Sequence, residues 1–135
     1  LEQNVIVVCA DIEDQIMNLQ AEDRKDFMVE SGIKSTGLNN LIKAGYDTLG
    51  LSTFFTSGPE ETRAWTIEKN FSAPQAAGVI HTDFEKKFIR SETVSHNDFV
   101  KYKGFNECKT AGKLRLEGKD YIVKDGDVMF FRTGA

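Results

Sequence analysis

The spacing of apolar and polar positions along this chain changes near residue 50. Upstream, Val5-Ile6-Val7-Val8-Cys9 is an unbroken apolar run. It has the pattern of an interior parallel strand covered on both faces rather than of a half-exposed one. Segments 11–20, 22–31 and 36–49 follow with apolar residues at i, i+3 and i+4, and each is predicted as a helix. Gly32 is placed to close the second helix in the left-handed conformation and Thr36 to cap the third. In that third helix Leu38, Leu41, Ile42 and Leu49 share one face, and Gly50 ends it. None of these helices gives the first run a sheet to join. The expectation is therefore a strand and helices left from an α/β domain, in a chain cut from something longer.

Downstream, the pattern turns to short strands. Residues 52–56 are β-rich, 57–61 carry turn chemistry, and 62–68 are extended with Trp65 and Ile67 on one side, which predicts a hairpin. Ser72 and Gln75 then form a Ser-x-x-Gln capping box with Pro74 in the first turn. Ala76, Ile80, Phe84 and Phe88 follow at four-residue spacing, which predicts a single amphipathic helix crossing the hairpin. Residues 89–94 return to strand, Ser95 and Asp98 can cap a short helix through Tyr102, and 107–111 can make another turn. Residues 114–116, 121–123 and 128–131 complete the set as short strands, the last two joined by the Asp125-Gly126-Asp127 turn. The order β-β-α-β, helical turns, β-β, with one helix across a mixed sheet, is an α+β fold of the ubiquitin-like β-grasp type. The expected division is 1–50 and 51–135, with Trp65, Phe84 and Phe130 in the core of the second part.

Composition narrows the class. With 135 residues, 40% of them hydrophobic, the chain can bury one sizeable core. A charged fraction of 28% and two prolines argue against a disordered chain. No apolar run approaches the ~18 residues of a membrane span, and the N-terminal residues lack the layout of a signal peptide. Cys9 and Cys108 stand apart without ligand spacing, which suits reduced cytosolic thiols. Acids outnumber bases nine to four in residues 1–50, whereas residues 51–135 hold twelve acids and thirteen bases. The two parts are thus expected to face different neighbours.

Independent catalytic chemistry is not visible. Gly32 and Gly37 are spaced like the glycines of a phosphate-binding loop, but Leu38 and Asn39 follow where lysine and a hydroxyl residue are required, and the segment follows a helix. A connection between helices is the better reading. His81 and Asp83 lie two apart on the predicted helix, on different faces, and neither histidine has a metal-ligand partner at the required spacing. No Gly-x-Ser-x-Gly elbow occurs. What remains is a surface: Lys86, Lys87 and Arg90, then Lys101, Lys103, Lys109, Lys113 and Arg115, interleaved with Phe88, Tyr102 and Phe105. Such side chains can meet phosphates and stack on bases. Glu85, Glu92 and Asp98 dilute the charge, so a protein-binding sheet without an RNA role stands as the alternative.

Several strings taken together resemble the TGS domain of the YchF (Obg-like) family. They are residues 54–58, 61–67, 73–85 with Ala73-Pro74-Gln75-Ala76-Ala77-Gly78, and 116–121 through Asp127. Val7-Val8-Cys9-Ala10-Asp11-Ile12-Glu13 is similar to the last strand of that family's nucleotide-binding domain and the loop after it. The resemblance implies a cytoplasmic, ribosome-associated, ATP-preferring P-loop NTPase that uses ATP (or GTP) with magnesium. In the intact parent the Cys9, Ala10 and Asp11 backbone would line the base pocket. The phosphate-binding and magnesium-binding motifs are not in these residues, so the part seen here is expected to dock on ribosome or RNA rather than to catalyse. Lys69-Asn70, Lys87 and Thr133-Gly134-Ala135 depart from the family pattern at loop or end positions.

Overall fold

The computed structural model describes residues 5–134, in two compact units, Leu1–Leu49 and Gly50–Ala135. In the first unit, helix α1 (Ala10–Asn18) is followed by α2 (Ala21–Glu30) and α3 (Gly37–Leu49). Cys9 is the extended N-cap of α1, and its carbonyl accepts from the Glu13 N–H at 3.1 Å. Asp11 and Glu13 in the first turn complement the helix dipole. Arg24 reaches back from α2 to donate to the Leu19 and Met17 carbonyls at 3.0 and 3.2 Å, satisfying acceptors that the end of α1 leaves open.

Helix α2 ends as its sequence predicts. Gly32 has φ +68°, and the Ile33 and Gly32 N–H groups donate to the Met28 and Val29 carbonyls, a left-handed closure in the Schellman pattern. Thr36 Oγ1 accepts from the Asn39 N–H at 3.2 Å and so caps α3. Residues 5–9 differ from expectation. They form no strand and pair with none among the described residues, and Cys9 at their end is extended. An apolar run gives a strand only where a neighbouring strand accepts its backbone bonds, and here α1 to α3 offer none.

The second unit is a five-stranded mixed sheet in the order β2-β1-β5-β3-β4. Strands β1 (Leu51–Ser57) and β2 (Thr62–Glu68) form the predicted hairpin. Two short helices, α4 (Ala73–Ile80) and α5 (Thr82–Lys86), precede β3 (Phe88–Ser95). Helices α6 (His96–Tyr102) and α7 (Phe105–Thr110) then lead to β4 (Arg115–Glu117) and β5 (Asp127–Thr133). Strand β5 runs parallel to β1 and antiparallel to β3, which is the β-grasp arrangement. The Asp125-Gly126-Asp127 turn is fixed to β1: Asp125 Oδ1 accepts from the Thr53 N–H, and the Gly126 N–H donates to the Thr53 carbonyl, both at 2.8 Å.

The core lies between α4 and one face of the sheet, built on Phe54, Ile67, Phe88, Val123 and Met129. Ala73, Ala76 and Ala77 are fully buried, and their small side chains let α4 approach closely. Phe131 meets Phe54 and Phe88 edge-on, with ring centroids 5.8 and 6.2 Å away.

Three expectations are corrected here. The single helix through Phe88 is two helices, because His81 is extended at φ −157° and ψ 135°. Its Nδ1 accepts from the Asp83 N–H at 3.2 Å and starts a new helix. Glu85 folds back over Gly78, where a Cβ would stand 2.7 Å from its carboxylate oxygen. Phe88 consequently belongs to a strand. Residues 121–123 contribute only the Ser72–Ile122 bridge, because their backbone partners lie at the approach to α4 and at its first residue rather than on a neighbouring strand. The Val123 N–H donates to the Phe71 carbonyl at 2.9 Å and the Ala73 N–H to the Tyr121 carbonyl at 2.8 Å. Phe130 is 40% exposed, because strand alternation places Met129 and Phe131 on the core face and turns Phe130 to the other.

Candidate docking surface

Strand register sorts the basic candidates. Lys86 ends α5, Lys87 caps it, and Arg90 lies near the start of β3 just past a bulge at Phe88/Arg90. Strand β5 runs antiparallel to β3 and brings Arg132 directly opposite Arg90. The chain beyond β5 is tied to the same corner, the Gly134 N–H donating to the Lys87 carbonyl at 2.8 Å. Lys86, Lys87, Arg90 and Arg132 are all exposed, so four cations gather at one end of the sheet.

Like charges directly opposite on a sheet repel. The repulsion is relieved on one side only: Arg132 Nε donates to Glu92 Oε1 at 3.1 Å and its guanidinium lies 4.4 Å from the Phe130 ring centroid. Arg132 was not among the sequence candidates. Its role depends on a pairing across roughly 40 residues of chain, which composition and local spacing do not encode.

The remaining candidates belong to the opposite end of β3. Helix α6 leaves that end at Ser95, and β4 returns with Arg115 opposite Thr93. Lys101 and Lys103 sit on and just after α6, and Lys113 precedes β4. An eight-residue strand separates its ends by roughly 23 Å at about 3.3 Å per residue. The structure therefore divides what the sequence presented as one basic stretch. Lys101 lies 5.3 Å over its neighbour Tyr102, and Lys103 closes α6 with φ +65°.

Arg115 has a different task. Its Nη2 donates to Asp127 Oδ1 at 3.0 Å and to the Tyr121 hydroxyl at 3.1 Å, while its Nε stands 3.5 Å from Glu117 Oε1. The Tyr121 hydroxyl donates to Asp127 Oδ2 at 2.6 Å, and the Lys124 N–H donates to the same oxygen at 3.0 Å. Asp127 is buried, so this network joins β4, the following loop and β5 around one carboxylate. Burial, and then the bond to Asp127, push the Tyr121 phenol well above its ordinary range. With its donors committed inward, Arg115 is a structural cation rather than a free contact.

Other chemistry is sparse. Cys9 is exposed and Cys108 buried, both as free thiols. Burial, assisted by Asp98 and Glu107, pushes the Cys108 thiol up and keeps it neutral. Among the described residues no group of three or more His, Cys, Asp or Glu side chains converges to hold a metal. The Gly32–Gly37 segment connects two helices, and the Gly37 N–H donates to the Glu13 carboxylate, which would repel a phosphate there. A Cβ on Gly37 would stand 2.8 Å from Val8 Cγ1, so close packing accounts for that glycine. At the proposed base loop, Cys9, Ala10 and Asp11 are exposed at the start of α1, and Asp11 Oδ2 accepts from the Gln15 amide at 3.0 Å.

A groove of about 440 Å³ lies between the β1–β2 turn and the α4–α5 corner. Trp65, Ile80, Phe84, Met129, Phe130 and Phe131 form its apolar lining, and Glu60 and Glu61 stand among its turn residues.

Comparison with known proteins agrees across the chain. Residues 51–134 match the family model YchF-GTPase_C, described as a protein of unknown function (DUF933). The chain is 58% identical over 127 residues to the "Ribosome-binding ATPase YchF" of Escherichia coli O157:H7, and 56% identical over 128 residues to that of Haemophilus ducreyi. It is 48% identical to "Obg-like ATPase 1" of Pongo abelii. These alignments cover 94–95% of the chain and 32–35% of the relatives, so the chain spans about a third of their length. A solved structure of the Schizosaccharomyces pombe YchF GTPase superposes with a TM-score of 0.72 at 38% identity, covering 93% of this chain and 33% of that one.

Proposed function

The chain belongs to the YchF family, and from that premise we propose that residues 51–135 are a TGS-type docking module for the ribosome, with the Lys86, Lys87, Arg90 and Arg132 end of the sheet facing ribosomal RNA. The observation that carries this reading is the placement of Arg90 opposite Arg132 beside Lys86 and Lys87. Holding like charges together costs stability unless a negative partner neutralises them, and among the described residues the acid paired into the cluster, Glu92, is engaged by Arg132. A phosphate backbone supplies such a partner. The relatives named ribosome-binding ATPases support the same assignment.

ATP (or GTP) and magnesium chemistry is assigned to other parts of the full-length family protein, in the cytoplasm. The residues here do not fit a phosphate site, for the reasons given at Gly37. The Cys9, Ala10 and Asp11 segment lies exposed at the start of α1, where it would border a base, and that is the whole of its proposed contribution. Co-sedimentation of the chain with ribosomes across a salt series, with and without RNase digestion, tests the RNA-facing reading. Binding that weakens steeply with salt and is lost after digestion supports it. Binding that survives both treatments assigns the module to a protein partner instead.

A further inference from the structure

We infer, resting on the RNA-facing reading of the same end of the sheet, that this surface takes unpaired RNA. One base stacks on Phe130 and the Arg132 guanidinium, and its phosphate lies on the Arg90 side. Strand alternation puts the required groups on one face. Arg90 and Arg132 form one cross-strand pair, and the next row on that face is Leu116, Glu92 and Phe130, from β4, β3 and β5. The two rows are about 7 Å apart, a distance that one nucleotide bridges between its base and its phosphate.

This face is covered over only part of its length. One row further on, Val94 and Val128 are 0% and 2% exposed, where α6 packs on β3 and β5. Phe130 and Leu116 lie outside that cover, at 40% and 61% exposure. Phe88, the ring nearest Lys86 and Lys87 in sequence, is closed to a base because it belongs to the core. Phe130 is thus an open aromatic ring beside the basic end.

The ring is also prepared for stacking. Arg132 Nε is held by Glu92 Oε1 at 3.1 Å while its guanidinium sits 4.4 Å from the Phe130 centroid, so a planar cation is fixed against the ring before anything binds. A guanidinium plane and a phenyl ring each accept the face of a nucleobase. Charge sets the direction. Glu60 and Glu61 stand in the β1–β2 turn on the β1 side of Phe130, whereas Arg90, Lys86 and Lys87 lie on its β3 side. The phosphate of a base stacked here is therefore steered toward β3. An A-form duplex keeps its bases stacked on one another and meets this face with phosphate and ribose, leaving Phe130 and Leu116 unused.

The probes are a fluorescein-labelled single-stranded RNA without self-complementarity and the duplex it forms with its complement, each titrated with the 135-residue chain and followed by anisotropy. Charge density alone favours the duplex, which carries about twice the phosphates per length. Tighter binding of the single strand is the expected result. Phe130→Leu keeps an apolar side chain and removes the ring. It is expected to weaken the single strand about tenfold, with duplex affinity, salt dependence and the circular dichroism spectrum unchanged. Arg132→Lys keeps the charge and loses the plane, and is expected to weaken the single strand severalfold at the same salt dependence. The inference is overturned, with the RNA-facing reading kept, if Lys86→Glu/Lys87→Glu/Arg90→Glu weakens both RNAs but the duplex binds as tightly as the single strand, or if Phe130→Leu weakens both equally or neither. Both fall if neither RNA binds below ~1 mM or if that charge reversal changes nothing.

Discussion

The two units of this chain solve the problem of burying apolar surface to very different extents. In Gly50–Ala135, side chains from the sheet and α4 form a continuous core, with Phe54 and Met129 completely buried. In Leu1–Leu49, Ile16 is the one buried apolar side chain among the described residues, and the shared face of Leu38, Leu41, Ile42 and Leu49 on α3 is more than half exposed. Both units have well-formed caps and turns. The difference teaches that local chemistry writes the helices of the first unit, whereas tertiary packing holds the second together.

The comparison breaks most visibly at its core. Phe54→Ala is expected to cost about 4 kcal/mol, a loss of ring contacts plus a cavity, and to abolish a cooperative melt of the sheet. Ile16→Ala is expected to reduce helical signal in the first unit while leaving that melt in place. Thermal denaturation followed by near-ultraviolet dichroism, which senses Trp65 in the sheet, separates the two. If both variants lowered the same transition equally, the units would not be energetically distinct.

A smaller effect comes from the Asp127 network. Arg115→Ala leaves a buried carboxylate with the Tyr121 hydroxyl and the Lys124 N–H but no cation, at an expected cost of about 3 kcal/mol in urea denaturation. Ribosome binding should fall no further than this loss of stability explains. Smaller again is the pH response of Tyr121. Its folded-state phenol titrates above the unfolded one, so the unfolded chain releases its proton first as pH rises. Stability is therefore undiminished below the ordinary tyrosine range near pH ~10 and falls as pH climbs through it. Tyr121→Phe should flatten that decline, as measured by denaturation midpoints across alkaline pH.

Much of the fold is legible in the sequence. The hairpin, the Ser72 capping box, the Gly32 closure and the Asp125-Gly126-Asp127 turn all rest on neighbouring residues, and spacing alone exposes them. The break at His81 was hidden because Ala76, Ile80, Phe84 and Phe88 keep helical spacing straight through it. A side-chain acceptor for the Asp83 N–H, with room over Gly78 for Glu85, outweighed that period. Phe130 looked like core because Met129 and Phe131 flank it, although strand alternation turns the middle residue of such a run outward. The basic surface was the least legible part. Lys86 and Lys113 lie in one lysine-rich stretch of sequence, yet the elements carrying them meet opposite ends of β3, while Arg132 reaches Arg90 only through the β3–β5 register.

That division supplies the central test. Lys86→Glu/Lys87→Glu/Arg90→Glu reverses one end of the sheet, and Lys101→Glu/Lys103→Glu/Lys113→Glu reverses the other by the same charge. Ribosome co-sedimentation of both variants across a salt series should show the first losing affinity, with a logarithmic salt dependence shallower by about 2, while the second stays near the unmodified chain. Equal losses, or a larger loss from the second variant, would contradict the assignment of the Arg90–Arg132 end as the RNA-facing surface.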